Sequence, residues 1–158
     1  MCRTLDEREF WARFGRVEHE RLEFKASANN LREVIPAMAM TQGGSIVLGV
    51  TDDRQLAGCR LDQRTLDSVM RRAQECGIDV ELEALIVGRQ HLTVVHVPQV
   101  RDRVVTTADG RLLRRVGSDN VPLRGEQVSR FLRRRSRLAG RVLAGLGSRL
   151  RSAVSLHM

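Results

Sequence analysis

Apolar residues at Leu5, Phe10, Trp11 and Phe14 recur near helical spacing and are followed by Gly15, which predicts a helix over residues 5–14. From Glu20 to Lys25 the period changes to two. Leu22 and Phe24 share one face, Glu23 and Lys25 the other, as in a short half-buried strand. Asn29 or Asn30 can cap a helix running to Met40, with Leu31, Val34, Ile35, Met38 and Ala39 as its apolar positions and a kink at Pro36. Gly43-Gly44 turns the chain into residues 45–50, apolar on both faces and therefore a central strand. A polar turn at 51–54 leads to a short edge piece at 55–58. Residues 61–76 read as a helix closed by Gly77. Residues 80–87 and 91–97 read as a hairpin, and 104–107 and 112–116 as two more strands around Asp109-Gly110. A last helix spans 124–150 with glycine interruptions. Strands and helices are mixed without regular βαβ alternation, so the expected class is α+β: one domain, a mixed sheet packed with helices, and an Arg-rich C-terminal helix.

Charge adds a feature that the pattern does not show. Nine of the 27 basic residues lie at or beyond Arg124, against one of the 19 acids, Glu126, so the tail carries the whole net charge of +8. A block of this kind suits a polyanion, although solubility alone would also account for it. On the tail helix Arg130, Arg133, Arg134, Arg137 and Arg141 fall on one side, while Val128, Phe131, Leu132, Ala139, Val142, Leu143 and Leu146 lie opposite. A guanidinium row suits phosphates, with an anionic membrane surface as runner-up. No stretch approaches the roughly 18 consecutive apolar residues of a membrane span. Cys2, Cys59 and Cys76 are odd in number and widely spaced, as for thiols in a reducing cytoplasm, the expected location.

Three pieces follow in order: Glu18-His-Glu-Arg-Leu-Glu23-Phe24-Lys25; then Ala37-Met-Ala-Met-Thr41-Gln-Gly43-Gly44, a strand, and Gly49-Val50-Thr51-Asp52-Asp53; then Arg115-Val116-Gly117-Ser118. Their order and spacing resemble the Schlafen/AlbA_2 domain, whose pattern runs E-x4-E-F-K, A-F-A-N-T-x-G-G, a strand, G-V-D-D and later R-x-G-S. The resemblance covers residues 17–132, leaving 1–16 as an N-terminal helix and 133–158 as a basic helical extension.

The resemblance implies a metal-dependent endoribonuclease acting on structured RNA such as tRNA, in cell defence. Glu18, Glu23 and Asp52, with Asp53 the adjacent candidate, would hold Mg²⁺ or Mn²⁺, since clustered carboxylates bind such hard ions. Lys25 and Arg115 would contact phosphate. Nucleases of this family join two lobes, so one lobe implies a homodimer. The alternative is a non-catalytic regulatory module that binds DNA or RNA. Apart from the resemblance, Glu23 and Lys25 read as an exposed ion pair, and Asp52-Asp53 as turn formers. The chain departs from the pattern at Met38, Met40 and Thr51, and Leu113 replaces an aromatic residue. No P-loop motif is present. His91 and His96 fall on opposite strand faces and are poor joint ligands, whereas His19, between the two glutamates, could assist proton transfer or sit idle in solvent.

Overall fold

The protein is described by a computed structural model that covers residues 2–137. The first apolar run divides into two elements. Cys2–Leu5 forms strand β1 and Glu7–Phe14 forms helix α1. Asp6 separates them through a capping box: its carboxylate accepts from the Glu9 amide at 2.7 Å, and the Glu9 carboxylate accepts from the Asp6 amide at 3.2 Å. The predicted helix over 5–14 therefore begins two residues late, because Leu5 is claimed by a parallel pairing opposite Val87.

The remaining elements are β2 (Leu22–Lys25), α2 (Val34–Thr41), β3 (Gly44–Leu48), α3 (Gln63–Glu75), β4 (Glu81–Val87), β5 (Gln90–Val97), β6 (Leu113–Val116) and β7 (Asp119–Pro122). A last helix, α4, occupies 126–137. The predicted continuation to 150 lies outside the described residues. The sheet order is β1-β4-β5-β3-β2, with parallel pairs at both margins and antiparallel pairs between them. The result is a single α+β domain on a mixed five-stranded sheet.

Both faces of the sheet are covered. Phe10 and Trp11 of α1 pack with Leu22, Phe24, Val47, Leu85 and Val94 on one face. On the other, Ile35, Met38 and Ala39 of α2 and Val69 of α3 pack on Ile46, Leu48, Val95 and Val97. Strand β2 is consequently not half-buried: Leu22, Glu23 and Phe24 are all buried. Helix α2 starts only at Val34, so Pro36 falls in its first turn, where the missing N–H would have no intrahelical acceptor.

The expected strand pair around Asp109-Gly110 is replaced by a different pairing. Residues 107–111 form a closed turn, in which the Thr107 amide donates to Arg111 O at 2.9 Å, and 104–107 joins no ladder. β6 pairs instead with β7 across Gly117-Ser118, with Gly117 in the left-handed region at φ 60°. This hairpin packs against α2 and carries Arg115 toward the free side of β2.

A candidate site on the edge strand

Strand β2 is a sheet edge. The Arg21 and Lys25 carbonyls receive the Ser45 and Gly49 amides at 2.9 and 2.7 Å, so by alternation the polar backbone groups of Leu22 and Phe24 face away from β3. The His19 backbone bonds Leu22 in both directions at 3.1 Å, and two side chains join it. The Glu18 carboxylate accepts from the Phe24 amide at 3.1 Å, and Arg115 Nη2 donates to the Leu22 carbonyl at 3.1 Å. An unpaired edge is a template for unwanted strand addition, and here it is closed by charged groups.

Arg115 is 1% exposed and Glu23 6%. Arg115 Nη1 donates to Glu23 Oε2 at 2.6 Å and to Asn120 Oδ1 at 3.1 Å. Its Nε and Nη2 also reach the His19 carbonyl, at 3.4 and 3.3 Å, and its backbone amide donates to Thr41 Oγ1 at 2.8 Å. The guanidinium expected to contact phosphate is thus enclosed by protein acceptors. Asn120 escaped the sequence reading, since a polar residue in a segment ending at Pro122 gives no strand signal.

Glu23 and Glu18 are brought together. Burial pushes the Glu23 carboxyl above the ordinary carboxylate value. The Glu18 carboxyl beside it pushes the same way, while Arg115 opposes both. Burial and the Glu18 carboxyl together outweigh the guanidinium, which engages only one of the Glu23 oxygens. Lys25 Nζ lies 3.9 Å from Glu23 Oε1 and is partly exposed. The hairpin tip is tied down by the Glu20 carboxylate, which accepts from the Gly117 amide at 3.0 Å; that bond holds the Glu20 pKa below its usual value. His19 is exposed, and its Nδ1 accepts from the Arg21 amide at 3.2 Å.

Asp52 stands on the turn after β3. That turn repeats the chemistry of residues 107–111. Thr51 and Thr107 each bond the aspartate two positions on, Asp53 and Asp109, and receive the amide four positions on at 3.0 and 2.9 Å. Asp53 rather than Asp52 closes the turn, and Asp52 is exposed. Among the described residues, no group of three or more His, Cys, Asp or Glu side chains is arranged to hold a metal ion. With one Glu23 oxygen bound by a buried guanidinium and Glu18 bonded to a backbone amide, Glu18, Glu23 and Asp52 as arranged do not fit a divalent ion.

The second basic feature is on α4. Arg130, Arg133, Arg134 and Arg137 are exposed, while Val128 and Phe131 pack on the core. Arg135 turns inward, donating to the Met40 carbonyl at 3.1 Å and the Arg103 carbonyl at 3.2 Å, which anchors the helix. Arg141 lies outside the described residues. No helix among the described residues is long and apolar enough to cross a membrane.

The fold and the edge strand closed by Glu18 and Arg115 define a small α+β domain with one buried ionic cluster and one exposed basic helix. The chain belongs to the Schlafen, AlbA_2 family, whose profile matches residues 18–124. Among solved structures it is similar to the DIP2311 protein from Corynebacterium diphtheriae, with a TM-score of 0.56 and 20% identity over 66% of this chain and 25% of that one. It is also similar to the N-terminal domain of a RecG-related protein from Nitrosomonas europaea, with a TM-score of 0.48 and 18% identity over 63% of this chain and 76% of that one. The chain spans about a quarter of the length of the DIP2311 protein, and the likeness is one of fold. A search of curated proteins finds no match.

Proposed function

We propose that the domain binds nucleic acid and grips the phosphate backbone through the outer face of α4. The observation that carries this reading is the one-sided exposure of Arg130, Arg133, Arg134 and Arg137 on a helix whose other side is anchored in the core. Guanidinium groups contact phosphate bidentately and release condensed counterions, so affinity falls with salt, by about 0.9 log units per contact per tenfold salt on duplex DNA. Replacing Arg130, Arg133, Arg134, Arg137 and Arg141 with Gln should weaken RNA and DNA binding and flatten the salt slope alike across sequences, since backbone contacts carry no base code. Fluorescence anisotropy across a salt series measures both. Unchanged affinity at every salt concentration would assign the row to solubility, a membrane surface or a protein partner.

The adjacent Glu18 and Glu23 carboxyls favour a second, finer reading: an endoribonuclease on structured RNA such as tRNA, dependent on Mg²⁺ or Mn²⁺ and acting as a homodimer in the cytoplasm. This reading requires the edge cluster to rearrange so that Asp52 joins the two glutamates. Its test is incubation of tRNA with Mn²⁺ and either the wild type or Glu23→Ala. Cleavage lost in the variant would support it, and intact tRNA in both would leave the binding module standing.

A further inference from the structure

Three arginines outside the tail lie over aromatic rings, Arg13 over Phe14 and, around a shared pair of rings on the α1 side of the sheet, Arg16 and Arg54. The Arg16 guanidinium carbon is 4.4 Å from the centroid of Trp11, and that of Arg54 is 4.7 Å from the centroid of Phe24. The two rings touch edge to face at 5.9 Å, so the pairs form one assembly. Arg54 locks it: with φ at 64°, it donates from Nε to the Arg16 carbonyl at 2.7 Å and from Nη1 to the Asp52 carbonyl at 3.0 Å. All three of these anchors leave its positive charge intact, because two are carbonyls and one is a ring face. Arg16 is exposed, and Val17 beside it, at 75%, is the most exposed large apolar residue among those described. A planar cation fixed over a ring, next to bare apolar surface, has the chemistry of a stacking surface for a nucleobase.

We infer that Arg16, seated over Trp11 beside Val17, is a platform on which an unpaired nucleobase stacks, with Arg54 holding positive charge toward the adjoining phosphate. The inference rests on the nucleic-acid reading and narrows its ligand to strands with accessible bases. Duplexes bury their base faces and would engage α4 alone. Arg54 also ties the turn at 51–55 to the loop before β2, so the backbone at Arg16 is held by a tertiary contact.

Trp11 is the only tryptophan of the chain, and there is no tyrosine, so its emission reports directly on the platform. The experiment compares an oligo-dA strand of about 12 nucleotides with an abasic strand carrying the same number of phosphates. The wild type is expected to bind the base-bearing strand about 5- to 10-fold more tightly and to change its tryptophan emission only with that strand. Arg16→Lys keeps the charge and removes the planar group. It should lower affinity for oligo-dA to the abasic level without altering the salt slope. Equal wild-type affinity for both strands, an unchanged tryptophan signal, or a base preference that Arg16→Lys retains would overturn the platform. If equal binding is still abolished in the five-arginine variant, the backbone reading survives and only the platform falls. Failure of the wild type to bind either strand overturns both.

Discussion

At the free edge of β2, Arg115 is 1% exposed and donates to Glu23, Asn120, Leu22 and His19. On the outer face of α4, Arg130, Arg133, Arg134 and Arg137 stand in solvent. The same side chain is used in two ways, and the surroundings decide which. A buried guanidinium must have its donors satisfied and its charge paired, so it is tied to its acceptors and unavailable to a ligand. An exposed row keeps its hydration, contributes little to the fold, and can exchange water and counterions for phosphate. Charge counted along a sequence does not separate these uses; only burial does.

The sharpest way to break the comparison is Arg115→Met. It leaves the Glu23 carboxyl buried without its guanidinium partner and removes one of the two donors to the Leu22 carbonyl, and should cost about 3–5 kcal/mol by urea denaturation near neutral pH. The sign with pH follows. Glu23 already titrates above its unfolded value, and losing Arg115 raises it further. The destabilisation is therefore complete above the folded pKa of Glu23. It fades as pH falls and is gone below the unfolded carboxylate value, where the group is protonated in both states. A pH-independent loss would mean that packing, rather than the unpaired carboxylate, sets the cost.

The five-arginine variant should do the reverse. Its unfolding midpoint should stay within about 0.5 kcal/mol of wild type while nucleic-acid affinity drops. A large loss of stability would show that the row supports the fold and would erase the contrast. The smallest effect concerns the edge itself. Glu18→Ala strands the Phe24 amide and should cost about 1 kcal/mol. It also removes the neighbour that pushes Glu23 upward, so the Glu23 carboxyl, followed by carbon NMR, should titrate at lower pH.

The elements legible in the sequence are those whose signal is local. Residues 81–87 and 90–97 alternate around a glycine turn, and Asp62 and Gly77 bracket an amphipathic α3. The apolar run of β3 and the one-sided α4 likewise carry their own periodicity, and the ordered Glu, Gly-Gly and Arg-x-Gly-Ser pieces were enough to indicate the family. The rest depended on partners distant in the chain. Cys2–Leu5 is a strand because β4 supplies its ladder, and Asp119–Pro122 is one because β6 does. Neither has an apolar period strong enough to declare itself. Glu23 and Arg115, 92 residues apart, look like surface charges until the β6–β7 hairpin folds over the edge of β2 and removes water from both. Periodicity determines which face of an element is apolar. Which charged groups lose their water is decided by what packs on top, and that depends on the tertiary structure.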